Sequence, residues 1–227
     1  MYRDLIVVSP CICRRDIHNK TFPILIKMLS RDPQILKKTT FLINIDPPCG
    51  TNNETQKETE ENFINMFKNH NVQRFEITKG EKGCFFTAAK RLLQRAQELI
   101  DANPFSAVLW FEDDKLMTKD PIFEGYMKDV EDYVIHLWRK APGTPSFHPC
   151  LWSGNIAKKY LIHSIVRETS PYDPELLMMN FWRKNFKNEC RLIHYFFSTD
   201  IGREWQKENN IKKWVRERTL NKNVTYV

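Results

Sequence analysis

The run Ala107-Val108-Leu109-Trp110-Phe111-Glu112-Asp113-Asp114 decides how this chain is read. An apolar stretch with strand character meets three carboxylates with no spacer. A strand buries the apolar side chains at little cost, but adjacent acids cannot be buried without partners. The acids therefore stand at the strand's exit. On a continuing strand Glu112 and Asp114 share one face and Asp113 takes the other. Clustered hard oxygen ligands at the carboxyl end of a strand in an α/β sheet suit a divalent ion that also holds phosphate oxygens. The competing reading is a solvated acidic turn answered by Lys115 and Lys119.

The flanking sequence supplies the sheet. Leu5-Ile6-Val7-Val8-Ser9-Pro10 is a buried strand closed by a breaker, and Thr39 to Asp46 is a second strand stopped by Pro47-Pro48. Phe22 to Leu29 has helical apolar spacing. Residues 50–61 form a polar loop running into a helix that carries Phe63, Met66 and Phe67 on one face. Val72 to Thr78 is a third strand. Phe85 to Ile100 is the clearest helix, with Ala88, Leu92, Leu93, Ala96 and Ile100 in phase, and the strand Ser106 to Phe111 follows. This alternation predicts an α/β fold with a mostly parallel sheet flanked by helices on both faces. Beyond the acids the pattern loosens. Ile122 to Trp138 reads as a helix and Ala141 to Pro149 as a Pro-rich loop. Ser153 to Val166 and Pro174 to Phe186 read as helices, Leu192 to Phe197 as a strand and Gly202 to Trp214 as a terminal helix. One domain, 1–227, is expected, with a Rossmann-like nucleotide-binding half (1–118) and a less regular acceptor-binding half with a C-terminal helix (119–227).

Composition narrows the function. The 227 residues are 41% hydrophobic, which excludes a disordered chain. Thirty-five Lys and Arg against 28 Asp and Glu give a net charge of +7, which favours an anionic partner. The bases are dispersed, so a nucleic acid is not expected. Six cysteines without a C-x-x-C pair or a His at finger spacing exclude a structural zinc site. No secretory leader is visible and no apolar run reaches the ~20 residues that span a bilayer. The expectation is a cytoplasmic protein with reduced thiols and no transmembrane segment.

Strand exits carry the candidate chemistry. Arg14 and Arg15 follow the first strand, and Lys79 and Lys82 follow the third. Of these, Arg14 and Lys82 are preferred for phosphate, Arg as a bidentate fork and Lys as a point charge. His148, Trp152 and Ser153 form an aromatic-polar segment suited to stacking an acceptor sugar. Asp173 and Glu175 flank Pro174 at a helix start. Either serves as general base to an acceptor hydroxyl, or the pair simply caps the helix. Arg203 reaches toward a diphosphate, unless the Asp200 beside it is only a helix cap.

Trp110-Phe111-Glu112-Asp113-Asp114 resembles the D-x-D-type motif of GT-A fold glycosyltransferases, in its E-D-D form. The order of the other pieces is similar to the small chlorella-virus glycosyltransferases that decorate capsid protein. Ile6 to Pro10 resembles their first strand, whose exit loop (Ser9 onward) receives the nucleotide. Asp46 matches the acid that contacts uracil or ribose, and Ser170 to Glu175 matches the acidic segment at the acceptor site. The resemblance implies a metal-dependent enzyme that moves a sugar from a nucleotide-sugar, most naturally a UDP-sugar, to a glycan or glycoprotein hydroxyl. For a viral enzyme the setting is the host cytoplasm. It implies Mn²⁺ (or Mg²⁺) on Asp114 and Asp113, a shell completed by His194, and a nucleotide contact from Glu112. Two rivals remain open. A metal-dependent nucleotidyltransferase shares the nucleotide-binding half, but calls for a Gly-rich phosphate loop that Ser9-Pro10-Cys11-Ile12-Cys13 lacks. A basic nucleic-acid-binding module leaves the three acids unexplained.

Overall fold

The computed structural model describes residues 2–120, 123–137 and 145–210. The first apolar run becomes β1 (Asp4–Ile12), and α1 (Arg15–Leu29) begins after only two intervening residues. The short α2 (Pro33–Lys37) starts on Asp32, whose side chain accepts from Gln34 N–H, with Pro33 at a position where a missing N–H costs nothing. After β2 (Thr39–Asp46), α3 (Gln56–Asn69) opens on a capping box. The Thr55 hydroxyl accepts from Glu58 N–H, and the Glu58 carboxylate accepts from Thr55 N–H. Next come β3 (Arg74–Lys79), α4 (Phe85–Ala102) and β4 (Ser106–Trp110). The second half holds β5 (Lys115–Met117), α5 (Phe123–Lys128), β6 (Tyr133–His136) and β7 (Cys150–Ser153). A continuous helical run follows: α6 (Gly154–Ile156), a π-helical turn (Ala157–Ile162) and α7 (His163–Val166). Then come α8 (Pro174–Asn185), β8 (Arg191–His194), β9 (Ser198–Asp200) and α9 (Gly202–Glu208).

Seven strands form the central sheet in the order β3-β2-β1-β4-β7-β6-β8, and β5 pairs with β9 in a separate ribbon. Within the sheet β7 runs antiparallel to its neighbours and the other pairings are parallel. The expected mostly parallel, Rossmann-like α/β fold is what the chain adopts. Strand alternation explains its two cores. Leu5, Val7, Phe41 and Ile43 point to one face and pack with Phe22, Leu25, Phe63 and Phe67 from α1 and α3. Ile6, Val8, Leu42 and Trp110 point to the other and pack with Leu92, Leu93, Tyr160 and Trp182. Each such fully buried side chain contributes about 1.5–3 kcal/mol.

Several boundaries differ from expectation. The helix read over 122–138 divides into α5 and the strand β6; Ile122 and Trp138 lie outside the described residues. Tyr133-Val134-Ile135-His136 is buried on both faces between β7 and β8. A short all-apolar run of that kind carries no period to separate strand from helix. For the same reason Cys150-Leu151-Trp152-Ser153 is a strand, and the helix read from Ser153 starts at Gly154. The late strand stops at His194, well before Phe197. Helix α1 begins seven residues before Phe22, and Pro23 is inside it. Residues 141–144 of the Pro-rich loop, and the terminal helix beyond 210, lie outside the described residues.

Candidate functional site

Sheet order locates the site. From β1 the chain crosses through α1 to β2, and from β3 it returns through α4 to β4 on the opposite side of β1. The sheet's winding therefore reverses between β1 and β4, and in open α/β sheets ligands bind beyond the strand ends at such a point. Two segments meet there: Cys13-Arg14 leaving β1, and Phe111 to Asp114 leaving β4.

They meet as a buried ion-pair network. Arg14 grips Asp113 with both arms of its guanidinium, Nε donating to Oδ2 at 2.8 Å and Nη2 to Oδ1. His18, one turn along α1 on the same face, places Nε2 2.9 Å from Asp113 Oδ2. Thr21 donates to the Asp113 carbonyl at 2.9 Å. Asp113 is 2% exposed. Burial by itself raises a carboxyl's pKa, but Arg14 and His18 outweigh it and hold this one well below the usual range. Lys115 forms the second node. Its ammonium lies 2.8 Å from Asp114 Oδ1, 3.3 Å from Asp200 Oδ2 and 3.4 Å from Glu112 Oε2. Burial disfavours that charge, yet the three carboxylates push its pKa above the ordinary lysine value. Arg14 Nη2 also approaches Asp114 Oδ2 at 3.4 Å. Trp205 of α9 lies under the guanidinium, 5.5 Å from its ring centroid.

This network bears on the expected Mn²⁺ or Mg²⁺. Such ions want open, hard oxygen ligands near 2 Å. Both Asp113 oxygens are engaged by Arg14 and His18, and both Asp114 oxygens face Lys115 or Arg14. A divalent ion on those atoms would sit against two buried cations. Asp113, Asp114 and His194 do not converge. Among the described residues the group whose donor atoms come within 4.8 Å is Cys11, His18 and Asp113. That set offers a single oxygen residue and a thiol that burial pushes well up. These residues do not fit a Mn²⁺ or Mg²⁺ site. The expected metal clamp is an internal salt-bridge hub, and of the two readings of the acids the paired turn is nearer, though buried rather than solvated.

The other expected residues scatter. Ser9 is fully buried, because β1 runs on to Ile12 and carries Ser9 inside the sheet rather than at its exit. Asp46 does end β2, beside Ile12 of β1. It is 2% exposed and accepts from Asn44 Nδ2 at 2.8 Å. Gly80 packs so closely on it that a Cβ there would stand 2.2 Å from Asp46 Oδ1. Burial pushes Asp46 up to about 7, with the Asn44 amide, the Cys84 N–H and Arg91 only partly offsetting it. Lys82 is exposed on the turn after β3. Lys79 pairs with Glu60 and Arg15 with Glu54.

On the acceptor side, Trp152 and Ser153 do not line a site. Both are fully buried in β7, Trp152 against Trp182 and Ser153 with its Oγ accepting from Tyr133 N–H at 3.2 Å. Asp173 caps α8, accepting from Glu175 and Leu176 N–H at 3.0 and 3.2 Å. Glu175 accepts from Phe147 N–H at 3.3 Å. Their arrangement is that of the capping alternative. His194 stacks on His136 with ring centroids 4.7 Å apart, and β8 stands three strands from β4. Burial, reinforced by His194 and His148, drives His136 down to about 4. Arg203 is largely exposed and pairs with Asp200 at 3.4 Å. His148 meets Glu112, Nδ1 to Oε2 at 3.2 Å. Residues the sequence reading passed over include His18, which the Arg14/His18 spacing of one helical turn could have flagged, and Arg91, which reaches Asn44 Oδ1 and the Lys79 carbonyl, each at 2.9 Å.

No protein-family model matches the chain, and no curated protein matches it. Among solved structures the chain is similar to 4-diphosphocytidyl-2C-methyl-D-erythritol synthase, at 10% identity and a TM-score of 0.44, over 85% of this chain and 90% of that one. No described helix is long and apolar enough to cross a membrane. The expectation of sugar transfer is corrected: the acids that carried the glycosyltransferase resemblance hold internal cations.

Proposed function

We propose that this chain is a nucleotidyltransferase, binding a nucleoside triphosphate along the carboxyl edge of β1, β2 and β3 and acting at its α-phosphorus. The observation that carries the reading is the winding reversal between β1 and β4, with Arg14, Lys115 and their acids directly behind it. Departure of pyrophosphate needs its charge neutralised in place. Lys82, exposed on the turn after β3, offers a side-chain cation for that purpose. Asp46, whose pKa burial pushes up to about 7, sets less repelling charge at the end of β2 than an ordinary carboxylate would. The Gly-rich loop expected of this class is missing from the β1 exit.

The test is calorimetric titration with CTP, UTP, ATP and GTP, each with and without Mg²⁺, beside a UDP-sugar panel. Triphosphate binding is expected, weakened at least about tenfold by Lys82→Ala, as for the loss of one charge-assisted contact worth ~1.5 kcal/mol or more. Absence of triphosphate binding by folded protein, or binding of the sugar nucleotides alone, would overturn the reading.

A further inference from the structure

Antiparallel register carries one consequence past the ends of the strands. In the β4/β7 ladder Val108 faces Trp152, Leu109 faces Leu151 and Trp110 faces Cys150. Continuing two residues beyond Trp110 and two before Cys150 sets Glu112 opposite His148. The side chains meet there, His148 Nδ1 3.2 Å from Glu112 Oε2, and they are 28% and 24% exposed. The segment bearing His148 is held on several sides. Phe147 packs on Trp110 with centroids 4.3 Å apart, its N–H is bound by Glu175 at 3.3 Å, and Leu137 N–H donates to the Pro149 carbonyl at 2.8 Å.

Resting on the nucleotidyltransferase reading, we infer that His148, oriented by Glu112, is the base that deprotonates a hydroxyl acceptor at this edge. When a carboxylate accepts from Nδ1–H, the ring's basic lone pair is on Nε2. The acceptor oxygen bonds to the α-phosphorus and its proton passes to His148 Nε2. The bond from that phosphorus to the β-phosphate bridging oxygen breaks, and pyrophosphate leaves with the electron pair. The proton then passes from His148 to water. The acceptor class follows from the base: a phosphate-monoester dianion carries no proton to remove, whereas an alcohol does. His18 also pairs with a carboxylate, but it is fully buried behind Arg14. Among the described residues, the charged and titratable groups around the dyad include Lys115, 3.4 Å from Glu112 Oε2, Glu175 of α8, and His136 and His194 of the sheet. Lys115 engages the carboxylate, so Glu112 is a positioning residue while His148 touches substrate.

The experiment follows pyrophosphate release with glycerol as the hydroxyl probe, alongside calorimetric triphosphate binding and a thermal melt of each variant. His148→Ala is expected to lower kcat about 100-fold, within the range for a lost general base. Triphosphate Kd should stay within about twofold, and added imidazole should restore part of the rate. Glu112→Gln is expected to lower kcat about tenfold without imidazole rescue. Unchanged turnover in folded His148→Ala, or a loss that imidazole does not relieve, would overturn the assignment while leaving the nucleotidyltransferase reading intact. Failure of the wild-type protein to bind any triphosphate would overturn both.

Discussion

Asp46→Asn should gain stability relative to the wild-type protein as pH rises. Asp46 ends β2 behind Gly80 and within 2.8 Å of the Asn44 amide, where burial pushes its pKa from 3.8 to about 7. The direction follows from proton counting. Between pH ~4 and ~7 the folded state holds a proton that the unfolded chain has released, so stability falls with rising pH across that window and the loss is complete above it. A rise of about three units at 1.36 kcal/mol each amounts to about 4 kcal/mol in full. About 2–3 kcal/mol of this develops between pH 5 and pH 8. Asparagine cannot ionise, and its Oδ1 can still accept from Asn44. The assay is urea denaturation of both proteins at pH 5, 6, 7 and 8. The stability difference should shift toward the variant by about 2–3 kcal/mol over that range. Groups elsewhere titrate alike in both proteins and cancel. A difference constant to within about 0.5 kcal/mol would show that Asp46 is ionised throughout and would refute the reasoning.

Further outcomes follow from the hub and its supports. Asp113→Ala removes the two-pronged partner of the buried Arg14 guanidinium and should cost about 3–5 kcal/mol in denaturant unfolding; Arg14→Met with Asp113→Leu should recover most of it. Gly202→Ala places a Cβ 2.3 Å from Asp114 Oδ2, the oxygen that faces Arg14, so Asp114 must shift; a loss of about 1–3 kcal/mol is expected from thermal melts. Thr55→Ala removes the capping box of α3 and should cost about 1 kcal/mol by the same measurement.

Much of the fold was legible in residue order because its signals are local. The β1 to β4 alternation, the amphipathic α4 and the abrupt end of β4 each rest on period and propensity within a few residues. The segments that misled, 133–136 and 150–153, are short apolar runs. Their state is set by the strands beside them, and no window of sequence contains those neighbours.

The site divides in the same way. Sequence by itself determined that three acids stand at a strand exit, and that bases follow β1 and β3, because burying four apolar residues forces the charged ones outward. It could not determine who answers those acids. Arg14 and His18 reach Asp113 across about a hundred residues of chain, Asp200 joins Asp114 on Lys115, and Glu112 meets His148 through the β4/β7 register. Whether a carboxylate faces a buried guanidinium, an ammonium or an imidazole decides between a metal clamp, a structural hub and a proton relay. That choice belongs to tertiary structure, since it depends on which strand ends the sheet order brings side by side.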